Sequence, residues 1–151
     1  MRNHIDETDK QILNLLMKNA RISYADIAKA VGMKSPSVID RIKRLENLGI
    51  IKGYTADINY KILGEDINAF IGVSIDNANH IDEFETSLQD IDTDIVSCDH
   101  VTGDYTFLLS VITKNTNSLS KLIKKLRTIE GVDKTNTILV FSTLMDRQRQ
   151  V

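Results

Sequence analysis

The segment that begins at Ser23 with SYADIAKAVG and continues with MKSPSVIDRIKRL constrains the fold more than any other part of this sequence. Ser23 can cap a helix with its hydroxyl, and Gly32 supplies the left-handed residue that ends that helix. Ser35 can cap a second helix, with Pro36 at the first position, where a missing N–H has no cost. The spacing predicts a helix–turn–helix over residues 24–43, a unit that enters the major groove of double-stranded DNA.

The second helix of this unit carries two stripes of opposite character. Val38, Ile42 and Leu45 recur at i, i+4 and i+7, which predicts a buried stripe. Donors on the opposite, polar stripe can reach phosphates and base edges, and the candidates are Ser35, Ser37, Arg41 and Arg44. We expect truncation of either arginine to leave the core intact, and we expect Asp40 to pair with Arg44 one turn away. A solvated charged face is the alternative, and the agreement of the caps and the turn favours DNA.

One helix before this unit and one strand after it complete the predicted N-terminal domain. Asp6 can cap the first helix. The segment IIKGYTAD, residues 50–57, has the pattern of a strand, and a strand in this place is typical of the winged form of helix–turn–helix. Lys52 on this strand is a candidate phosphate contact, with an ordinary solvated lysine as the alternative. We assign residues 1–61 to a winged helix–turn–helix domain, with a hinge that extends to about residue 66.

The charge of the chain is divided unevenly between its two parts. Residues 1–61 contain eleven Lys and Arg against seven Asp and Glu, a net charge of +4. Residues 62–151 contain eight against fourteen, a net charge of −6, so the two parts sum to the −2 of the whole chain. A basic front part and an acidic back part indicate a DNA-binding module joined to a module with a different task.

Residues 67–151 show strand and helix patterns in the order β-α-β-β-α-β. This order is the ferredoxin-like split arrangement, whose expected product is an antiparallel sheet with both helices on one face. The predicted fold class is therefore α+β, a winged helix–turn–helix domain joined to a ferredoxin-like βαββαβ domain. The predicted strands are 69–75, 95–102, 105–113 and 132–143, and the helices lie around 81–91 and 119–126.

The second face of this sheet is predicted to be partly apolar. Apolar side chains occupy both alternating positions of the last two strands, and strict alternation places Tyr105 on the same side as Phe107. A sheet face that its own helices do not cover favours packing against a second copy of the chain. We therefore predict a dimerisation surface on this face.

Other classes of function have little support in the sequence. No apolar run is long enough to cross a membrane and no secretory signal opens the chain, so we expect a cytoplasmic protein. Cys98, Asp99 and His100 look like a metal set, but alternation along a strand places Asp99 on the opposite face from the other two. We expect no membrane association, no metal, no cofactor and no catalytic site, and therefore a protein that is not an enzyme.

Taken in order along the chain, these motifs resemble the Lrp/AsnC family of transcriptional regulators, also called feast/famine regulatory proteins. The resemblance implies homodimers built from the ferredoxin-like domains, further assembly to octamers, and a small effector, usually an amino acid, bound between those domains. It also implies a prokaryotic, nucleoid-associated protein. The matching motifs are Asp6-x-x-Asp9, Ile27-Ala28-x-x-Val31-Gly32, Val38-x-x-Arg41-Ile42-x-Arg44-Leu45, Val101-Thr102-Gly103-Asp104-Tyr105 and Gly131-Val132.

The same resemblance implies that the effector region comprises Thr102, Gly103, Asp104, Tyr105 and Thr106. Members of the family often carry Asp at the position of Thr106, and threonine offers no fixed negative charge to an ammonium group. The ligand is therefore expected to differ from the usual amino acids, to bind weakly, or to be absent. A hairpin turn without a ligand is the alternative interpretation of Gly103 and Asp104.

Two functions fit this sequence. The first is a regulator that binds operator DNA through its helix–turn–helix units, modulated by an amino acid or another small metabolite. The second is an architectural protein that wraps DNA around an oligomer with little dependence on an effector. The same helix–turn–helix serves both functions, so the sequence separates them poorly.

Overall fold

The computed structural model describes residues 4–151, which divide into two compact units. One unit contains the residues up to Asp57 together with Met145–Val151, and the other contains Ile58–Leu144. None of the described helices is long and apolar enough to cross a membrane. The elements of the first unit are α1 (Glu7–Lys18), α2 (Tyr24–Val31) and α3 (Ser35–Asn47). Those of the second are β1 (Ile67–Ile75), α4 (Ile81–Leu88), β2 (Ile95–His100), β3 (Phe107–Thr113), α5 (Thr116–Arg127) and β4 (Val132–Leu139).

The helical unit is held by a small apolar core and by the caps that the sequence predicts. Ser23 Oγ accepts the backbone N–H of Asp26 at 3.1 Å, and Gly32 ends α2 with a left-handed φ of 69°. Asp6 forms a capping box with Asp9, because each carboxylate accepts the other residue's backbone N–H. The core consists of Ile12, Ile27, Ala28, Val38 and Ile42.

Helix α3 begins one residue earlier than the sequence predicts. Lys34 is the N-cap, in an extended conformation, and Ser35 and Pro36 are the first two helical residues. The prediction that Ser35 caps this helix is therefore wrong. The backbone carbonyl of Lys34 already accepts the N–H groups of Ser37 and Val38. Pro36 fits this start equally well, because the first N–H groups of a helix have no partner within the helix.

The strand predicted over residues 50–57 is not formed, and this part of the prediction is wrong. Residues 52–57 have no regular secondary structure, and they follow a bend at Ile50 and Ile51. The N–H groups of both isoleucines donate to the carbonyl of Leu45, which continues the end of α3 rather than starting a ladder. A strand needs a neighbouring strand to satisfy its backbone, and the regular elements described in the helical unit are the helices α1, α2 and α3.

The last residues of the chain belong to the helical unit. The backbone N–H of Val151 donates to Asn14 Oδ1 at 3.1 Å, and its carbonyl accepts from Asn14 Nδ2 at 2.9 Å. One side-chain amide on α1 thus satisfies both backbone groups of this residue. The segment Met145–Val151 is therefore part of this unit although it follows the whole sheet in sequence.

The second unit is a four-stranded antiparallel sheet in the order β2-β3-β1-β4. The two central strands, β1 and β3, bury alternate residues against the helices, and Phe84 of α4 stacks on Phe107 with ring centroids 4.7 Å apart. Helix α5 contributes Leu119, Leu122 and Leu126 to the same core. The predicted βαββαβ order is confirmed, with each strand within a few residues of its expected bounds.

The opposite face of this sheet carries a band of apolar side chains. Phe70 is 38% exposed, and it lies directly opposite Ile138, which is 47% exposed. Leu108 and Ile112 are half-buried and lie on the same face, because their partners in register are Gly72 and Asn68. This band is the apolar face that the alternation of residues predicts.

Tyr105 is on this second face, not on the side of Phe107, so that detail of the prediction is wrong. A side chain at Gly72 would overlap the Tyr105 ring, which shows that the ring covers the glycine. The Tyr105 hydroxyl accepts a hydrogen bond from Asn136 Nδ2 at 2.6 Å. Strict alternation fails here because β3 begins at Phe107, and Tyr105 precedes the regular strand.

A charged corner joins the end of β1 to the start of β4. His80 Nδ1 lies 2.6 Å from the carboxylate of Asp76, whose backbone N–H donates to the carbonyl of Gly131. Gly131 has a φ of 91°, and a Cβ at this position would overlap the side chain of His80. The hydrogen bond with Asp76 raises the pKa of His80, and the same bond lowers the pKa of Asp76.

We predict that the stability of the second unit decreases as the pH rises from the unfolded pKa of histidine, about 6.5, through the raised folded pKa of His80. Because the folded state raises the pKa of His80, protonation of this histidine stabilises the folded state. This stabilisation is fully present below the unfolded pKa of about 6.5 and is lost as the pH rises through the folded pKa. Thermal unfolding of wild type, His80→Gln and Asp76→Asn across this pH range checks the prediction. Both variants should flatten the decrease, and an equally steep decrease in His80→Gln would contradict this role of the corner.

Candidate nucleic-acid interface and effector region

Helix α3 presents a continuous polar face away from its buried stripe. Val38, Ile42 and Leu45 are buried, as the sequence predicts. The positions about half a turn away are exposed, and they are Pro36, Ser37, Asp40, Lys43 and Asn47. This face contains donors, an acceptor and a cation within three helical turns, which is the chemistry that major-groove recognition requires.

Arg41 lies at the flank of this face and is bound to α1. Its Nη1 donates to both carboxylate oxygens of Asp6, at 2.9 and 2.8 Å, and to Asp9 Oδ1 at 2.9 Å. These partners are more than thirty residues away in sequence. The ion pairs raise the pKa of Arg41 further and lower the pKa of Asp6 to about 2.

Arg44 is also engaged by α1. Its Nη2 donates to Asp9 Oδ2 at 2.5 Å, while about half of its side chain stays exposed. Asp9 is fully buried, and its two carboxylate oxygens are divided between the two arginines. We call the group Asp6, Asp9, Arg41 and Arg44 the ion cluster. Its two positive and two negative charges cancel.

The ion cluster changes the interpretation of two expectations from the sequence. The prediction that Asp40 pairs with Arg44 is wrong, because the guanidinium of Arg44 turns to Asp9 instead. The expectation that truncation of Arg41 leaves the core intact takes no account of the contact between Arg41 and Asp9, and we now expect removal of Arg41 to leave the buried Asp9 carboxylate with one cation fewer. Lys43, which sequence reasoning missed, is an exposed cation beside Asp40 on α3. The feature of the sequence that identifies Lys43 as exposed is its position about half a turn from the buried stripe of α3.

The other candidate DNA-contacting residues are distributed around this face. Ser37 is exposed in the first turn of α3, whereas Ser35 is half-buried. Lys52 is exposed on the irregular segment after α3. Nearby, the hydroxyl of Tyr54 donates to Glu46 at 2.8 Å, and burial together with this carboxylate raises the tyrosine pKa to about 12. The end of α3 is therefore tied to the segment that carries Lys52.

The candidate effector region is a short loop between β2 and β3. The backbone N–H of Val101 donates to the carbonyl of Thr106, which closes the loop, and Gly103 has a φ of 111° at its tip. The hydroxyl of Ser74 donates to the carbonyl of Asp104 at 3.2 Å. Thr102, Gly103 and Asp104 are exposed, so the Asp104 carboxylate faces solvent.

Thr106 is half-buried, and its hydroxyl already has a partner. Its Oγ1 accepts the backbone N–H of Ile75 at 3.1 Å, at the point where the pairing of β1 and β4 shifts register. The backbone N–H of Thr106 donates to the carbonyl of Val73 at 2.8 Å. The side chain thus seals an irregular strand end, and only its hydroxyl proton and a second lone pair are left for a ligand.

The residues considered as a metal set are divided by the sheet. Cys98 and His100 lie opposite Leu109 and Phe107 on the helix-covered face, whereas Asp99 lies opposite Leu108 on the other face. Burial raises the pKa of the Cys98 thiol to about 11. Within residues 4–151, no three His, Cys, Asp or Glu side chains are grouped as metal ligands.

Comparison with known proteins matches both units. Residues 5–52 match the family model for winged helix-turn-helix DNA-binding, and residues 68–150 match the Lrp/AsnC ligand binding domain. The chain belongs to the Lrp/AsnC family. This Lrp/AsnC protein is 34% identical over 142 residues to an HTH-type transcriptional regulator of Pyrococcus abyssi, covering 94% of this chain and 95% of that protein.

Solved structures give the same assignment. Escherichia coli AsnC superposes with a TM-score of 0.91 at 30% identity, covering 98% of this chain and 99% of that one. A transcriptional regulator of Neisseria meningitidis, in complex with L-methionine, superposes with a TM-score of 0.90 at 25% identity, covering 95% and 94%. This Lrp/AsnC protein is thus a transcriptional regulator with a helix–turn–helix DNA-binding domain and a ligand-binding domain.

We predict that Arg41→Ala destabilises the helical unit of this Lrp/AsnC protein by about 3 kcal/mol, because breaking a buried ion pair leaves an uncompensated charge. Urea unfolding followed by helical circular dichroism measures the change. Lys43→Ala on the exposed face is the matched control and should change stability by less than about 0.5 kcal/mol. Equal effects of the two variants would contradict the role given to the ion cluster.

Proposed function

We propose that this protein binds operator DNA as a homo-oligomer, with the exposed face of α3 in the major groove. Ser37 and Lys43 donate from this face to the phosphate backbone, the exposed part of Arg44 and Lys52 contact phosphates at its edges, and Arg41 positions the helix. The proposal rests on the two opposite sides of α3. One side carries a buried stripe that packs against α1 and α2, and the other carries an exposed polar stripe.

Protection of DNA from nuclease by the full-length protein tests this proposal. A regulator should protect discrete segments at a few sites. Broad, periodic protection along any duplex would identify the architectural function instead. No protection of any tested duplex at physiological salt would contradict both. The experiment uses genomic fragments, because the sequence of the operator is an outcome of it.

We further propose that the apolar face of the sheet pairs two copies of this chain. Phe70 and Ile138 are neighbours in register, and both are more than a third exposed. Large apolar side chains side by side on a sheet are an unfavourable solvent surface, and a second copy offers a face of the same chemistry. Assembly of such dimers to octamers is the further step that we propose from membership of the family.

We predict that Ile138→Asp converts the dimer to a monomer, because a carboxylate placed beside Phe70 in the paired faces is costly to desolvate. Light scattering on the full chain at micromolar concentration measures the mass. Lys121→Gln on the exposed side of α5 makes the same change in net charge and should leave the assembly intact. A monomeric wild type, or a dimeric Ile138→Asp, would contradict the proposed interface.

For the effector, we propose that the loop Thr102–Tyr105 receives a ligand's carboxylate but holds an ammonium group weakly. Backbone N–H groups near Gly103 are exposed to solvent and can serve a carboxylate. Within this loop, the acidic side chain available to an ammonium group is that of Asp104. The hydroxyl of Thr106 is less available, because it already accepts the backbone N–H of Ile75. The common amino acids are therefore weak ligands, and a less cationic metabolite fits this loop better.

We predict that Thr106→Asp strengthens the binding of a common amino acid about ten- to a hundredfold, since one charge-assisted hydrogen bond contributes roughly 1.5–3 kcal/mol. Calorimetric titration of the twenty amino acids against both proteins measures this. Thr106→Asn is the matched control, because asparagine has the shape of aspartate without its charge. Its affinity for amino acids should rise little. Tight binding by the wild type that is lost in Thr106→Asp would contradict the argument from charge.

The proposed function is non-catalytic, and it places the protein with the DNA in a prokaryotic cytoplasm. This proposal rests on the family, whose members are transcriptional regulators. Regulation then requires no cofactor. The protein acts through a change in the affinity for DNA.

A further inference from the structure

Asp40 is a carboxylate in the centre of the α3 face that the proposed function places against DNA. It lies about half a turn from the buried stripe, and one turn from both Ser37 and Lys43. It shares a shallow depression with His4 and Asp6, which precede α1, and with Arg41 and Arg44 of α3 itself. Asp40 is exposed at the surface of this depression.

The cation that would ordinarily neutralise Asp40 is bound elsewhere. Arg44 is four residues later on the same helix, at the spacing of a helical ion pair, but its guanidinium donates to the buried carboxylate of Asp9. Arg41 is likewise held by Asp6 and Asp9. Within the described part of the chain, the Asp40 carboxylate forms no ion pair and accepts no hydrogen bond.

A free carboxylate on a DNA-facing helix lowers the affinity for every sequence, because it is repelled by the phosphates. Such a carboxylate contributes favourably to DNA binding only when a base donates a hydrogen bond to it. In the major groove the base donors are the amino groups of cytosine N4 and adenine N6, and adenine presents its N7 acceptor beside the donor. An acceptor-only side chain therefore selects cytosine.

We propose that Asp40 is a specificity-determining residue that accepts a hydrogen bond from the N4 amino group of a cytosine in the DNA site. This inference rests on the proposed function of α3. It assigns different tasks to neighbouring residues. Lys43 and Ser37 supply sequence-independent attraction to the backbone, and Asp40 penalises every duplex that lacks the cytosine.

Base preference measured on variants of Asp40 tests the inference. The wild-type chain first selects binding duplexes from a random pool, and the affinity for all single-base variants of the selected site is then measured at fixed salt. We expect one position at which cytosine is preferred by about tenfold. Asp40→Ala should lose this preference and bind random duplex severalfold more tightly. Asp40→Asn should shift the preference towards adenine, which the amide can pair with in a bidentate manner.

Asp57→Asn is the matched control, because it removes an exposed carboxylate outside the helices. It should change the affinity for all duplexes alike and leave every base preference as it is. An unchanged preference profile in Asp40→Ala would overturn the assignment of Asp40 while leaving DNA binding by α3 in place. Failure of the wild type to bind any duplex would overturn the proposed function itself, and the inference with it.

Discussion

The ion cluster of Asp6, Asp9, Arg41 and Arg44 determines what the recognition helix can offer to DNA. Replacing a buried ion cluster with apolar residues is often neutral or stabilising, so such a cluster adds little net stability, but the loss of one member is costly. Its more important effect is geometric. Four charged groups with fixed hydrogen-bond directions set the rotation of α3 on α1, and this rotation decides which residues are exposed. The cluster also cancels the charge of the two arginines that the sequence makes most conspicuous, so the affinity for phosphate must come largely from elsewhere.

Local signals in the sequence were sufficient to place the helices and the four strands of the sheet, although not the first residue of α3. Ser23, Asp6 and Gly32 act as the caps and stops that their types predict, and the apolar stripes are buried where the periodicity places them. The order of strands and helices along the second unit followed from the succession of strand and helix patterns in the sequence. These features depend on residues close together in sequence, for which helix caps and side-chain periodicity give direct rules.

The features that the sequence did not reveal depend on distant partners or on irregular backbone. The spacing rule for helical ion pairs predicts Asp40 as the partner of Arg44, but the guanidinium of Arg44 binds the buried Asp9 instead. The segment at residues 50–57 has the side chains of a strand, but residues 4–151 offer it no strand in the helical unit to pair with. Tyr105 departs from strict alternation because it precedes the regular strand. Thr106 is the residue of this group that bears on ligand binding. Its hydroxyl is used to satisfy the backbone of Ile75, which the sequence gives no reason to expect.

The central claim is that Arg41 positions the recognition helix, while Lys43 contacts phosphate. The salt dependence of DNA affinity separates these tasks, because each phosphate contact adds about one to the slope of log affinity against log salt concentration. The decisive measurement is this slope for wild type, Arg41→Gln and Lys43→Gln on one operator duplex. The account predicts that Lys43→Gln lowers the slope by about one for each bound helix, whereas Arg41→Gln weakens binding equally at all salt concentrations. A slope lowered as much by Arg41→Gln as by Lys43→Gln would contradict it.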